Sequence, residues 1–385
     1  MKILILSCGT GGGHNSAALA IQEDLIEKGI QADFIEYLDI INKKVKNSIN
    51  HLYISTTRRN GKVFKTVYRL GELYQKTKLK SPVYQLNCLS RKKLYQYIQE
   101  NGYDYIITTH LFAAQALTAI KKKYPIHFIA VATDYVCIPF LEETNPDYFI
   151  IPSEELAKDF IQKGISKEKL LPLGIPVKKA YTQKITKHEQ IESSEVQKIN
   201  SVKQEKDVEN KRYVLILTGS MGFGNVTQML EELLKNVLEV TFIVACGNNK
   251  DLLEKLKEIY LKNERIMPLA FTNEIDKYMK QSEVILTKPG GLTSTEIAVL
   301  GKPFIHTMPI PGCENYNANF FSQREMSIQC HSIEEVVKAT KRLLENKKLQ
   351  EEMVKNQRKY MHQDTCSKIT ELILTEFDRI KNEKD

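Results

Sequence analysis

The two halves of the chain open in the same way, and this similarity constrains the fold more than any other feature of the sequence. Residues 1–20 and residues 212–234 each read as an apolar run, a turn rich in glycine and a run with helical periodicity. A strand that feeds a glycine turn and then a helix begins a doubly wound α/β domain. With 385 residues, the chain is long enough for two domains of common size. The sequence therefore predicts an α/β fold of two doubly wound, Rossmann-like domains that face each other across a cleft.

Apolar runs alternate with helical patterns throughout both halves, as a parallel sheet covered by helices requires. We predict strands at residues 2–7, 32–37, 105–109, 127–133 and 148–152, and again at residues 213–217, 241–245, 265–269, 284–287 and 303–307. A stretch without aromatic residues, dense in Lys, Glu, Gln and Ser, separates the two sets and is typical of a linker. The expected units are a first domain (1–182), a charged linker or insertion (183–211), a second domain (212–347) and a C-terminal helix packed back on the first domain (348–385).

Composition excludes several classes of protein. No apolar stretch approaches the roughly 20 residues that cross a bilayer, and the short apolar run at the start reads as a strand and not as a signal peptide. The seven cysteines include no CxxC pair and the histidines have no HExxH spacing, so neither a disulfide framework nor a zinc site is indicated. We expect a cytoplasmic protein that needs no metal ion and no cofactor.

Positive charge is concentrated in one segment of the chain. Residues 42–96 hold 14 Lys and Arg against a single acidic residue, Glu72, and aromatic residues are interleaved among them. Rings among cations are typical of a surface that docks on an anionic membrane. A solvated basic helix face and a site for single-stranded nucleic acid remain as alternatives. We expect the partner to be an anionic membrane surface and not a nucleic acid, with the protein peripheral on the inner face of the cell membrane.

Residues 284–319 form the richest candidate site. A short apolar strand ends in a turn that contains Lys288, Gly290 and Gly291, and such glycines let the backbone approach a ligand closely. The helix that follows is expected to begin at Thr293. Thr293 and Glu296 have the spacing of a capping box, in which the carboxylate caps the helix. A carboxylate beyond a parallel strand can equally accept two hydrogen bonds from the vicinal hydroxyls of a sugar.

A second strand at residues 303–308 leads into what reads as a polar loop, residues 309–319. Asparagine-rich loops suit ligands with many hydroxyl groups, although ordinary turns are also rich in Asn. The candidate side chains in this loop are Glu314, Asn315, Asn317 and Asn319.

The two glycine turns are candidates for binding an anion. Neither has the GxGxxG spacing or a following GK[ST], so the usual nicotinamide and ATP motifs are absent. Both still present backbone amides at a helix N-terminus, where partial positive charge favours a diphosphate. We assign the diphosphate to the second turn, which contains Gly219, Ser220, Met221 and Gly222. We assign the first turn, with Gly12 and Gly13, to binding the acceptor or to orienting the residue that follows.

That residue is His14, which lies where the first helix begins and is expected to project into the cleft. A neutral imidazole there could take a proton from an attacking hydroxyl, although a histidine that merely caps its helix is an alternative. Asp134 and His110 follow apolar strands on the same side of the first sheet. Either could orient His14 or bind the acceptor, and either could be an ordinary residue at the end of a strand.

Taken together, GGGH, GSMGFGN, KPGGLTSTE and PGCENYNANF resemble the motifs of the diacylglycerol glycosyltransferases of glycosyltransferase family 28, which include processive diacylglycerol glucosyltransferases and monogalactosyldiacylglycerol synthases. The resemblance covers nearly the whole chain apart from residues 183–211. It implies a GT-B fold, with a UDP-sugar donor in the C-terminal domain and a lipid acceptor reached through the N-terminal domain.

The resemblance also implies roles for individual residues. His14 takes the position of the base, and Gly219 to Gly222 that of the diphosphate loop. Glu296 falls where the family binds ribose, and Glu314 with Asn315 where it contacts the donor sugar. The pair Glu314-Asn315 departs from the two acidic or two amide residues often present there, so the donor could be UDP-glucose or UDP-galactose.

The leading hypothesis is an inverting transfer of glucose or galactose from its UDP donor to diacylglycerol, which makes a glycolipid. A second hypothesis keeps the UDP-sugar and changes the acceptor to a polyprenyl-linked or other lipid. A third is a regulatory protein that senses a UDP-sugar and docks on membranes. The test that separates them is whether a product forms, and from which lipid.

Overall fold

Two sheets organise the parts of the chain that the computed structural model describes, which are residues 1–9, 12–41, 80–183, 211–219 and 226–382. The strands of the first sheet are β1 (Lys2–Ser7), β2 (Gln31–Glu36), β3 (Tyr105–Thr108), β4 (Phe128–Val131), β5 (Tyr148–Ile150) and β6 (Leu170–Leu171). Those of the second are β7 (Arg212–Leu217), β8 (Val240–Ala245), β9 (Ile266–Leu269), β10 (Val284–Thr287), β11 (Phe304–Thr307) and β12 (Ile328–Cys330).

Every strand pairing within the two sheets is parallel. The first sheet has the order β2-β1-β3-β4-β5-β6, and the second has the order β12-β11-β10-β7-β8-β9. In each sheet the chain first runs outward to one side and then crosses back to build the other side. The direction changes between β1 and β3 in the first sheet and between β7 and β10 in the second. In such sheets a crevice opens beyond the carboxyl ends of the two strands at this switch point, and ligands bind there.

Helices connect the strands and cover both faces of each sheet. In the first half they are α1 (Gly13–Glu27), α2 (Tyr37–Ile41), α3 (Pro82–Leu89), α4 (Arg91–Asn101), α5 (Leu111–Lys121), α6 (Ala157–Gln162) and α7 (Lys179–Thr182). In the second half they are α8 (Val226–Asn236), α9 (Lys250–Ile259), α10 (Ile275–Gln281), α11 (Gly291–Leu300), α12 (Cys313–Ser322), α13 (Ile333–Glu345), α14 (Lys347–Tyr360) and α15 (Thr365–Asn382). The fold is therefore two α/β domains of the Rossmann type, as the sequence predicts.

The alternation of side chains along β1 shows how the layers form. Ile3 and Ile5 point to one face, where they pack with residues of α1 and α15. Leu4 and Leu6 point to the other face, where they pack with residues of α4 and α5. Because both faces of a parallel sheet are covered, its central strands are apolar throughout, and this is why the sequence pattern identifies them.

All ten predicted strands are present, with ends that agree to within two residues. Strands β6 and β12 are not among the predicted ones; they have only two and three residues and lie at the sheet edges. The expected single helix from residue 348 onward is wrong, because α14 and α15 are separate helices. Met353 of α14 packs in the core of the second sheet, whereas Ile369 and Ile373 of α15 pack on the first. The break at residues 361–364 lets the chain cross from one domain to the other.

Two local predictions in residues 284–319 are also wrong. Helix α11 begins at Gly291 and not at Thr293, its N-cap is Gly290, and no side chain caps it. The capping box is therefore excluded, and Glu296 lies in the second turn of the helix. The expected loop over residues 309–319 becomes helix α12 from Cys313 onward. Asparagine is a poor helix former, but tertiary packing of the apolar residues on this helix overrides that propensity.

Candidate active site

The loops at the two switch points face each other, and glycines permit the close approach of the domains. Gly291 begins α11, and a Cβ atom added to it would lie 2.0 Å from the carbonyl oxygen of Thr133 in the first domain. A Cβ on Gly13 would lie 3.6 Å from Leu292. Any larger residue at position 291 would collide with backbone. These contacts bring the N-terminus of α1 next to the N-terminus of α11.

His14 is the second residue of α1, after the N-cap Gly12, whose φ of 82° is one that glycine adopts readily. Its Nδ1 lies 2.9 Å from the carbonyl oxygen of Thr109 and 2.9 Å from Oγ1 of Thr133. A carbonyl can only accept, so Nδ1 carries the proton and donates it. Nε2 is then unprotonated and has a free lone pair. The structure thus fixes the tautomer that a general base requires.

The surroundings of His14 keep its ring neutral. Removal of the ring from water lowers the pKa of His14, while the negative charge of Asp134 and the hydrogen bond to Thr109 act in the opposite direction. The resulting pKa lies below the ordinary value of 6.5. At neutral pH the group is therefore a base, and the nearby carboxylate would stabilise the imidazolium ion that proton uptake creates.

His110 and Asp134 lie beside His14 but do not supply the hydrogen bonds that orient it. His110 is the N-cap of α5, where its Nδ1 accepts from the backbone N–H of Phe112 at 3.2 Å. Its ring meets that of His14 edge-on, with the centroids 4.7 Å apart, and burial holds its pKa well below the usual range. The side chain of Asp134 accepts a hydrogen bond from Asn317 of the second domain at 2.9 Å. Orientation of His14 comes instead from Thr109 and Thr133.

On the facing side, Gly219 lies in the turn two residues after β7 and has a φ of 83°. The rest of the proposed diphosphate loop, Ser220, Met221 and Gly222, lies outside the described residues. Lys288, at the carboxyl end of β10, is close enough to Glu314 for its charge to lower the pKa of that carboxyl. Burial has the larger effect and raises the pKa of Glu314, whose Oε2 accepts from the backbone N–H of Ile310 at 2.8 Å.

Asn315 and Thr293 lie in the first turns of α12 and α11, and both are partly exposed. Gly290 precedes α11, and apart from its two chain neighbours no residue that the structure describes has an atom within 4 Å of the position of a Cβ there. The negative charge of Asp134 also raises the pKa of Glu314, so the two carboxyls are near each other across the domain junction. The structure thus gathers His14, Asp134, Glu314 and Lys288 into one region.

Glu296 lies further along α11 and is only 8% exposed. Burial raises the pKa of its carboxyl to about 8, against the opposing effects of the Lys178 charge and a hydrogen bond from Tyr181. Tyr181 belongs to α7, the last helix before the segment that joins the domains. A buried carboxyl with a single hydroxyl partner has acceptor capacity left, which is the chemistry that a vicinal diol requires.

Sequence reasoning did not identify four residues that build this site: Thr109, Thr133, Tyr135 and Tyr181. The two threonines act through a backbone oxygen and a hydroxyl on His14, and neither leaves a motif in the sequence. Tyr135 enters the second domain, where its ring stacks on Phe320 at 4.3 Å and its hydroxyl bonds Thr295 at 2.7 Å. The feature of the sequence that could have identified Tyr135 is its position directly after Asp134, at the end of a predicted strand.

Within the described part of the chain, no three or more His, Cys, Asp or Glu side chains are grouped so that they could hold a metal ion. No helix among those described residues has the length and apolar content needed to cross a bilayer.

Solved structures of other proteins share this fold. MurG from Acinetobacter baumannii has a TM-score of 0.61 at 16% identity, covering 97% of this chain and 99% of its own. MnaA from S. aureus, in a structure with UDP, has a TM-score of 0.65 at 15% identity, covering 98% and 97%. At these identities the similarity concerns the fold alone, which is the two-domain GT-B architecture.

Sequence comparison covers both domains. Residues 14–177 match the family model for monogalactosyldiacylglycerol (MGDG) synthase, and residues 213–369 match that for the glycosyltransferase family 28 C-terminal domain. The processive diacylglycerol beta-glucosyltransferase of Bacillus pumilus is 26% identical over 388 residues, which span 100% of this chain and 97% of the relative. Its counterpart in Bacillus subtilis is 27% identical over 383 residues, spanning 98% and 96%. With two GT-B domains that match these models in order, the chain belongs to glycosyltransferase family 28.

Proposed function

We propose that the protein is an inverting glycosyltransferase that moves a hexose from a UDP-sugar to the free hydroxyl of diacylglycerol, forming a glycolipid. The observation that carries the proposal is the hydrogen bond from Nδ1 of His14 to the Thr109 carbonyl at 2.9 Å, which leaves Nε2 free to act as a base. The full-length relatives named as diacylglycerol glucosyltransferases support this donor and acceptor, and favour glucose as the sugar.

In the proposed reaction, Nε2 of His14 takes the proton of the acceptor hydroxyl as its oxygen attacks the anomeric carbon of the donor. The bond from that carbon to the diphosphate oxygen breaks, and UDP leaves with the electron pair. Attack from the face opposite the leaving group inverts the anomeric configuration. Asp134 stabilises the imidazolium ion, since its charge already raises the pKa of His14. The neutral state of His14 at rest supports this role, and we propose that the step uses no metal ion and no cofactor.

We assign the donor to the second domain. The turn at Gly219 and the N-terminus of the helix that follows would bind the diphosphate, because backbone amides and the helix dipole stabilise negative charge there. Lys288 would add a positive charge on the same side. Glu296 would accept hydrogen bonds from both ribose hydroxyls, and these bonds would favour its ionised form against the burial that raises its pKa in the ligand-free protein. Glu314 and Asn315 would contact the hexose.

We propose further that the enzyme is peripheral on the inner face of the cell membrane and takes its acceptor there. Leu86 and Leu89 of α3 support this, since they are 62% and 77% exposed and lie one turn apart. Arg91, Lys92 and Lys93 follow them after one residue, Ser90. Exposed leucines beside cations match what an anionic lipid surface binds. Residues 42–79, the rest of the basic segment, lie outside the described residues.

The experiment that tests the function is product identification. Purified protein is incubated with diacylglycerol vesicles, EDTA and labelled UDP-glucose or UDP-galactose, and the lipid fraction is resolved and identified by mass spectrometry. We expect a hexosyl-diacylglycerol of inverted anomeric configuration in the presence of EDTA. A product formed only on a polyprenyl-linked lipid would replace the acceptor in our proposal. Absence of any product from every donor and lipid would refute the enzyme assignment.

The role of His14 is tested by His14→Ala. We expect loss of transfer by about 100-fold or more, because a positioned base contributes about 100 to 10,000-fold. Binding of UDP, measured by calorimetry, should be retained because the proposed UDP contacts are in the second domain. The matched control is His331→Ala, which removes an exposed histidine of the second domain. Near wild-type turnover by His14→Ala would show that the base is another group.

A further inference from the structure

Asn317 lies where the two domains meet, and its side chain is bonded to both. It belongs to α12 and is 1% exposed. Its Oδ1 accepts a hydrogen bond from the backbone N–H of Tyr135 at 2.7 Å. Its Nδ2 donates to Oδ1 of Asp134 at 2.9 Å and to the carbonyl oxygen of Pro289 at 3.0 Å. One amide group therefore uses its acceptor and its donors to join three backbone and side-chain groups at the junction.

The segment that Asn317 holds in the first domain is the one that contacts the proposed base. Thr133 lies directly before Asp134, and its Oγ1 is 2.9 Å from Nδ1 of His14. The third partner, Pro289, belongs to the turn between β10 and α11, on the proposed donor side. Asn317 thus stands between the groups that would hold the donor and the groups that orient and polarise His14.

We propose that Asn317 is a positioning residue that couples the donor side of the site to the base. By binding Asp134 and Tyr135, it holds residues 133–135 in the position from which Thr133 orients His14. It can do so only while the two domains are in contact. Asn317 itself touches neither reacting group. This inference rests on the proposed function, since it assigns a role in that same reaction.

Substitution by aspartate gives the sharpest test. Asn317→Asp keeps an oxygen for the N–H of Tyr135, but it removes both N–H donors and sets a second carboxylate against that of Asp134. Two adjacent carboxylates do not both ionise easily, so the pair takes up a proton at a higher pH than either would alone. Glu314 adds negative charge to this region, Lys288 opposes it and His14 lies beyond Asp134. The variant is therefore expected to regain activity as the pH falls.

The experiment measures kcat and the donor KM from pH 5.5 to 8.5, together with UDP affinity by calorimetry. The variants are Asn317→Ala, Asn317→Asp and a double variant, called the exchange, that combines Asp134→Asn with Asn317→Asp. Asn236→Asp is the matched control, because Asn236 is exposed at the last residue of α8 and is not a candidate for the site. For Asn317→Ala we expect kcat to fall by about tenfold or more, as misplacement of reacting groups does, with UDP affinity changed by less than about threefold.

For Asn317→Asp we expect a pH optimum below that of the wild type, and the exchange should recover part of the lost kcat because an amide again faces a carboxylate. If Asn317 had a merely structural role, Asn317→Asp would not shift the pH optimum and the exchange would not recover kcat. Wild-type kcat in Asn317→Ala would overturn the inference, as would an unshifted optimum in Asn317→Asp with no recovery on exchange.

The inference and the proposed function fail in different ways. A wild-type protein that makes no glycolipid would refute the function while leaving the geometry to be tested. The pKa of the His14 ring, followed by NMR, then decides the inference. Asn317→Ala should lower it, because Asp134, whose charge raises the pKa of His14, is no longer held in place beside the ring. An unchanged pKa of His14 in that variant would overturn the coupling.

Discussion

Glu296 holds a proton more tightly than an exposed glutamate because α11 and α7 enclose it. Burial raises its pKa to about 8, and the charges that face it are those of Lys178 and Asp276, with the hydroxyl of Tyr181 as a partner. A carboxyl whose pKa is raised on folding contributes stability that is fully present below its unfolded pKa and is lost as the pH rises through its folded pKa. The window is therefore about pH 4.5 to 8.

This gives a prediction at the scale of the residue. Between pH 6 and pH 8 the free energy of unfolding of the ligand-free protein should fall by up to about 1.4 kcal/mol per pH unit through Glu296. Glu296→Gln should reduce this slope, as measured by urea unfolding at a series of pH values. Glu283→Gln is the control, because the Glu283 pKa is lowered by Arg212 and its contribution is lost only at acid pH. Equal slopes in the wild type and Glu296→Gln would contradict the prediction.

The residue scale is also where sequence reasoning reaches its limit. The sequence pointed to Glu296 and His14, but it left a capping box as an alternative role for the first and offered Asp134 or His110, and not the two threonines, to orient the second. A capping box needs Thr293 at the N-cap, whereas the helix begins at Gly291, which lies close to Thr133 of the other domain. The partners of His14 are 95 and 119 residues away in the chain. A pattern within a short stretch of sequence cannot predict contacts between residues that are so far apart in the chain.

At the scale of the element, α3 gives a prediction about membrane binding. Leu86→Ser combined with Leu89→Ser should weaken binding to vesicles of phosphatidylglycerol and phosphatidylcholine by about tenfold or more, because fully burying each leucine contributes about 1.5–3 kcal/mol. Binding by the wild type should weaken with salt, since exposed charges are screened. Flotation or calorimetry measures both effects.

The control for α3 uses two leucines of the second domain, Leu238 and Leu261, which are 67% and 80% exposed. Their replacement by serine removes as much exposed apolar surface, and it should leave vesicle binding unchanged. Equal losses in the two pairs of variants would show that α3 has no special role at the membrane.

Helix α12 shows why some elements could not be read from the sequence. Its residues include three asparagines, which locally favour a loop. Phe320 and Phe321 pack around Tyr135 from the other domain, with ring centroids 4.3 and 4.8 Å away. The apolar partner that stabilises the helix is therefore supplied by a distant part of the chain.

At the scale of the whole molecule, Tyr135 holds the domains together. Tyr135→Ala should cost about 3–5 kcal/mol, as the loss of a buried ring does, and should separate thermal unfolding into two transitions. Tyr135→Phe keeps the stacked ring and loses only the hydrogen bond to Thr295, so about 1 kcal/mol is expected. Differential scanning calorimetry distinguishes the two results. A single transition in Tyr135→Ala, at the wild-type temperature, would mean that other contacts suffice.

The sequence by itself determined the two parallel sheets and placed His14, Lys288 and Glu296 at the carboxyl ends of strands or in the helices that follow them. It could do so because buried parallel strands are apolar throughout and because glycine turns mark where they end. Only the tertiary structure decided which tautomer His14 adopts, how strongly Glu296 holds its proton and that Asn317 joins the two domains. Those properties depend on groups from both halves of the chain, and burial and hydrogen bonding between them exist only once the halves have met.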